Sequence, residues 1–114
     1  MAYAAEPVRA LRDAEHVIAV KDEGQFPVMI RLQDVSLGAV LRAGAGHVGR
    51  GGRLDYIRST DGGRTWSKPV VAIDSEWDDR NPAFGQMPDG TLVLAYGEAH
   101  SYRPDGVFDL AAGP

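Results

Sequence analysis

Three arginines and a histidine fall in or beside one glycine-rich stretch, Ala43–Gly52, which is bracketed by Arg42 and Arg53 and carries His47 and Arg50. A second polar run, Trp77-Asp78-Asp79-Arg80-Asn81-Pro82, follows. An arginine fork can hold a carboxylate bidentately, and neighbouring His and Asp side chains can move protons near neutral pH. Arg42 and Arg80 are therefore candidates for binding an anionic ligand, with Gln25 and Asp78 beside them. His47 and Asp79 are candidates for proton transfer. Each also has an architectural use: Arg42 can pair with Asp78 or Asp79 at the base of a loop, Asp79-Arg80 can fix a junction, and Trp77 can pack between layers. The glycine stretch lacks the Lys-Ser/Thr ending of a phosphate-binding loop, and His47 and His100 have no metal-ligand spacing, so neither metal nor cofactor is expected.

These groups must be positioned by short strands, because strand-like and turn-like segments alternate along the chain. Strands are expected at Pro27–Leu32, Leu37–Arg42, Leu54–Ser59, Pro69–Ile73, Ala83–Met87 and Thr91–Tyr96, with a further outer strand at His16–Val20. Residues 1–14 read as a short helix or a loose arm. In an up-and-down sheet, the loop Arg42–Arg53 and the segment Asp74–Arg80 share one end. Gln33–Ser36 and the turn around Asp61 share the other. Gln25 opens its strand from the first end, which makes that end the candidate site.

The turn around Asp61 reads Ser59-Thr60-Asp61-Gly62-Gly63-Arg64-Thr65-Trp66. Paired glycines after an Asp let the backbone reach positive φ while the carboxylate accepts nearby N–H groups. Ser59 and Thr65 can bond across the turn, and Trp66 supplies an apolar anchor beneath it. Asp61 is thus expected to hold a turn and not to catalyse.

The chain also repeats. With an offset of 55 residues and no gaps, Pro27 meets Pro82, Leu32 meets Met87, Asp34 meets Asp89, Ser36 meets Thr91 and Leu37 meets Leu92. Such a period is the mark of a repeat architecture in which one unit cannot bury its faces alone. The first copy has room for four strands, and the second stops about halfway.

Ser59, Asp61, Gly63, Thr65 and Trp66 match the Asp-box pattern Ser-x-Asp-x-Gly-x-Thr-Trp, and the chain resembles the bacterial neuraminidase repeat of the sialidase superfamily. The resemblance spans about Gln25 to Tyr96. It implies an all-β fold, a six-bladed propeller of antiparallel four-stranded blades, with the box structural and a glycan as substrate or ligand. Family members open the first blade with Phe/Tyr-Arg-Ile-Pro, whose Arg grips the sialic acid carboxylate; the matching residues here are Gly24-Gln25-Phe26-Pro27. Arg42 matches the family Arg that ends the second strand, and His47 falls where the family's acid/base Asp is expected. Arg80 stands in the equivalent opening of the next blade, in Asp79-Arg80-Asn81-Pro82. The nucleophilic Tyr and its Glu partner belong to later blades.

The resemblance implies a piece of a glycoside hydrolase of exo-α-sialidase type, inactive alone, or a non-catalytic carbohydrate- or protein-binding propeller. The expected organisation is an arm with a possible outer strand at 1–24, a complete blade at 25–78 and a partial blade at 79–114. About one and a half blades cannot close a ring, which takes about four to eight. The missing blades are expected from a longer chain or from self-association.

Composition agrees with a folded β protein. The 114 residues carry a net charge of −4 with 25% charged side chains, and 14 glycines and 7 prolines suit many turns. Without a basic stripe or RNA-binding aromatic motif, nucleic acid is not an expected partner. The sequence has no cysteine, which excludes disulfides and thiolate metal sites but does not decide the compartment. Neither a signal peptide nor a membrane span is read in it.

Overall fold

A computed structural model describes residues 13–112, and these form an all-β structure of two antiparallel sheets. The first sheet holds β1 (Gln25–Arg31), β2 (Leu37–Ala43), β3 (Arg53–Ser59) and β4 (Val70–Ile73) in that spatial order. The second pairs β5 (Asp78–Gln86) with β6 (Leu92–Ala99), and a single 3-10 turn follows at Leu110–Ala112.

The interior strand β2 is buried on both faces and, apart from Arg42, apolar, as suits a strand covered from two sides. On one face Ala39, Leu41 and Ala43 join Ile57 of β3 in a buried cluster, against which Ala19, Val20 and Trp66 pack. On the other, Val40 and Tyr56 share a cavity wall with Phe84, Leu92 and Leu94 of the second sheet. The Tyr56 and Phe84 rings meet edge to face at 5.8 Å. The second sheet therefore packs across a face of the first.

The expected outer strand at His16–Val20 is not a strand. These residues are irregular, and Ala19 and Val20 lie over the sheet face, where apolar burial replaces backbone pairing. The second unit's strands are longer than expected: β5 begins at Asp78 rather than Ala83, and β6 runs on to Ala99. Asp78, Asp79 and Arg80 pair with Ala99, Glu98 and Gly97, so charged residues that read as loop are inside the ladder. The expectation for residues 1–12 lies outside the described residues.

The 55-residue repeat is reproduced bond for bond. β1 pairs β2 through Gln25↔Arg42, Val28↔Val40, Met29↔Ala39, Ile30↔Gly38 and Arg31↔Leu37. β5 pairs β6 through Arg80↔Gly97, Ala83↔Ala95, Phe84↔Leu94, Gly85↔Val93 and Gln86↔Leu92, the same register moved by one repeat. Each inner strand bulges at its opening, between Gln25 and Val28 and between Arg80 and Ala83. Within each bulge a non-glycine residue has φ +49°, Phe26 in one and Asn81 in the other, and a proline follows.

The turns repeat as well. Val35 N–H donates to Leu32 O at 3.0 Å, and Gly90 N–H donates to Met87 O at 2.9 Å. Asp34 accepts from Ser36 N–H at 3.1 Å, and Asp89 accepts from Thr91 N–H at 2.9 Å. The turns also touch: the Gln33 side chain donates to Met87 O at 2.9 Å and to Pro88 O at 3.1 Å.

Candidate functional site

The glycine loop and the start of β5 converge at one end of the sheets, as their places in the meander require. Arg42 is the centre of that end and is fully buried. Its Nε and Nη2 donate to Asp78 Oδ1 at 3.2 and 2.5 Å. Nη1 reaches Gln25 Oε1 at 3.2 Å, Ala45 O at 3.1 Å and also Gly46 O, while Nη2 reaches Gly49 O at 3.2 Å. One guanidinium thus gathers three carbonyls of the glycine loop, the start of β1 and the start of β5. The loop is ordered by being wrapped around a cation.

Asp78 is also fully buried, and its second oxygen accepts from the Tyr102 hydroxyl at 2.5 Å. Tyr102 in turn accepts from Gly49 N–H at 2.9 Å. Burial, followed by the hydrogen bond to Asp78, raises the Tyr102 hydroxyl above its ordinary pKa, which keeps it a donor. Gly52 completes the packing: a Cβ there would collide with Asp78 Oδ1 and the Arg42 guanidinium.

The remaining sequence candidates are distributed around this knot. Arg80 Nη2 donates to His47 O at 2.9 Å and Nη1 lies 3.5 Å from Asp78 Oδ2. Its Nε is buried and has no hydrogen-bond partner among the described residues. Asp79 is fully buried and accepts from Ser75 N–H and Ser75 Oγ–H, both at 2.8 Å, so its carboxylate closes the loop before β5. His47 is exposed, its ring 5.3 Å from that of Phe26. Trp77 stacks on His100 at 4.2 Å and has the Arg50 guanidinium 5.6 Å from its ring centre.

The structure therefore joins the half-buried Gln25 to the buried Arg42 and Asp78 in one network, adds Arg80 at its margin, and leaves His47 outside in solvent. Substrate-binding roles for Arg42 and Asp78, and a proton-transfer role for Asp79, require solvent contact that these buried side chains lack. Of the architectural alternatives, the Arg42–Asp78 pair at the loop base and the packed Trp77 match the geometry.

Beside the network, a cavity of about 550 Å³ opens between the β1 start and the glycine loop. Gln25 is on its wall, with Asp22, Glu23, Arg53 and the loop residues Gly44 and Gly46. Glu23 accepts from Gly44 N–H at 2.7 Å and lies 3.6 Å from Arg53 Nη2, while Arg53 also grips Asp55 at 2.9 Å. This volume is within the range of small-ligand sites. Its lining offers carboxylates, an amide, a guanidinium and glycine backbone, a mixture suited to a ligand rich in hydroxyls.

No family model, curated protein or solved structure matches this chain. Its site is therefore read from its own geometry. Asp22 and Glu23 are not among the sequence candidates. The signal is in the repeat, which aligns Glu23 with Asp78: each is an acidic residue two positions before a bulge opening, and each meets an arginine.

The turn Ser59–Trp66 occupies the opposite end and forms as its residues require. Asp61 Oδ1 accepts from Ser59 Oγ–H at 2.8 Å and Thr65 N–H at 2.9 Å, and Oδ2 accepts from Thr65 Oγ1–H at 2.6 Å. Ser59 Oγ accepts from Gly63 N–H at 2.8 Å, and Trp66 Nε1–H donates to Gly63 O at 3.0 Å. The Thr65 hydroxyl and amide, then Ser59, hold the Asp61 carboxyl down at about 2. Gly62 and Gly63 have φ of +74° and +90°, which the turn needs. Among the described residues, no group of three or more His, Asp or Glu could hold a metal, and no helix is long and apolar enough to cross a membrane.

Proposed function

We propose that this chain builds part of a sialidase-like β-propeller that handles glycans, and that the sugar lies in the cavity beside Gln25 and the glycine loop. The observation that carries the reading is that cavity, a polar hollow of about 550 Å³ whose wall is pinned from beneath by a buried cation. The Asp-box turn and the repeated, bulge-opened hairpins support the propeller part of the proposal. In this reading the four-stranded sheet is one blade, the two-stranded sheet is the inner half of the next, and further blades complete the ring.

Sugar recognition suits the wall chemistry. Hydroxyl groups need donors and acceptors at once, and Asp22, Glu23, Arg53 and the Gln25 amide provide both. Arg42 acts one layer below, as a positioning residue that shapes the loop. In a glycoside hydrolase of sialidase type, these units would supply a wall of the site while reacting groups come from elsewhere in the ring.

A second reading, a non-catalytic carbohydrate- or protein-binding propeller, is favoured by one specific observation: Arg42, Asp78 and Asp79 are all buried and hydrogen-bonded internally. Calorimetric titration with neutral and sialylated oligosaccharides, run beside an assay of aryl sialoside hydrolysis, tests both. Binding weakened by Glu23→Gln supports the glycan proposal, and turnover separates hydrolase from binder. Absence of binding to every sugar in the panel overturns the proposal.

A further inference from the structure

The arginines at the glycine-loop end are engaged by the protein itself. Arg42 is buried against Asp78 and the loop carbonyls. Arg53 holds Asp55 through two parallel bonds, Nε to Oδ1 at 2.9 Å and Nη2 to Oδ2 at 3.0 Å. Arg80 donates to His47 O and lies against Asp78, and Arg50 stands over the Trp77 ring.

The carboxylates of the cavity are placed differently. Asp22 and Glu23 are exposed on its wall, beside the half-buried Gln25. Arg53, the cation of that wall, brings the buried Asp55 with it, so its charge is balanced before a ligand arrives. Lys21 precedes Asp22 in the chain but is not part of the wall. Gln25 turns its amide oxygen to Arg42, which leaves the NH2 as its donor. The hollow therefore presents net negative charge with an amide donor beside it.

Charge of one sign on a wall discriminates between ligands of similar shape. A carboxylate-bearing sugar meets like charge there, and like-charge juxtaposition suppresses a wrong partner. A hydroxyl donates one hydrogen bond to a carboxylate, whereas an ammonium donates up to three and adds the attraction between full charges.

We propose that the cavity takes a sugar bearing a free, protonated amine, a hexosamine, ahead of a neutral or carboxylate-bearing one. Asp22 and Glu23 receive the ammonium, and the Gln25 NH2 donates to a ring hydroxyl. The inference rests on the glycan reading and names the ligand class of that site.

Calorimetric titration of the 114-residue chain with three probes tests it, at a pH where the amine is protonated: the β-1,4-linked glucosamine trisaccharide, cellotriose and sialyllactose. The first two differ only in carrying an ammonium or a hydroxyl on each ring. The expected result is about tenfold tighter binding of the glucosamine trisaccharide than of cellotriose, with sialyllactose weakest. The double variant Asp22→Asn, Glu23→Gln is expected to lose that preference while remaining folded by circular dichroism; should it unfold, Asp22→Asn alone takes its place. Glu15→Gln, which removes an exposed carboxylate that faces Arg64 at the opposite end, is expected to keep the preference. Cellotriose or sialyllactose binding as tightly as the amine, or a preference that survives in the folded cavity variant, overturns the hexosamine inference and leaves the glycan reading standing. Absence of binding to all three sugars overturns both.

Discussion

Arg42 and Asp78, 36 residues apart in sequence, meet with both side chains fully withdrawn from solvent, Nη2 to Oδ1 at 2.5 Å. The pair ties the end of β2 to the start of β5, and so fixes one repeat unit on the other. A buried ion pair is not in itself a gain over apolar packing, but removing one partner strands the other. The pair is best understood as fixing a unique arrangement of the loop around it.

Asp78→Asn is therefore expected to destabilise the chain strongly, by about 3–5 kcal/mol, since Arg42 would stay buried with its charge uncompensated. Urea unfolding of the two proteins measures this. Removing the exposed Arg103–Asp105 pair by Asp105→Asn serves as the contrast and should shift the urea midpoint far less, because solvent screens an exposed pair.

Tyr102→Phe should cost about 1–3 kcal/mol, because it strips a donor from Asp78 and an acceptor from the Gly49 amide. The loss should be local before it is global. Amide exchange at Gly49 is expected to accelerate more than exchange in β2 or β3, which can be followed by NMR.

Asp61 gives the turn Ser59–Trp66 a pH signature. Its folded pKa of about 2 is below the ordinary 3.8, so its contribution is complete above about 4 and fades as pH falls through about 2. Asp34 is lowered by the Ser36 hydroxyl and amide, and Asp89 by the Thr91 amide, so both turns lose stability in the same direction. Asp61→Asn is expected to melt below wild type at neutral pH, with the gap narrowing as pH drops from about 4 to about 2. Melting temperatures of both proteins across this window decide the point.

Asn81 sits at φ +49° in the second bulge, a conformation that costs a β-branched residue far more than Asn or Gly. Asn81→Gly should be close to neutral, and Asn81→Val should cost about 1–3 kcal/mol. Denaturant midpoints of the two variants provide the comparison.

Much of this architecture was legible in the residues. The turn around Asp61 was specified locally, because Ser59, Asp61, Gly63 and Thr65 act within eight positions, and local chemistry is visible in a local string. The repeat was legible because Pro27 and Pro82 punctuate equivalent bulges. The first residues of β5 were not, since Asp78, Asp79 and Arg80 carry charges that propensity assigns to loops. The burial of Asp78 and Asp79 depends on Arg42, Tyr102 and Ser75, and Arg42 and Tyr102 come from distant parts of the chain. The same nonlocality hid the cavity: Glu23 and Arg53 become neighbours only after β1, β2 and β3 pair. His16–Val20 misled for the opposite reason, because an apolar run lying on a sheet face has the same composition as a strand within one.

The most direct test of the glycan proposal is a two-dimensional ¹H–¹⁵N titration of the chain with sialylated and neutral oligosaccharides. The expected result is saturable shifts at Asp22, Glu23, Gln25, Gly44 and Gly46, with the Asp-box amides of Gly63 and Thr65 unmoved. Shifts absent at every sugar tested, or confined to the Asp-box end, would contradict it.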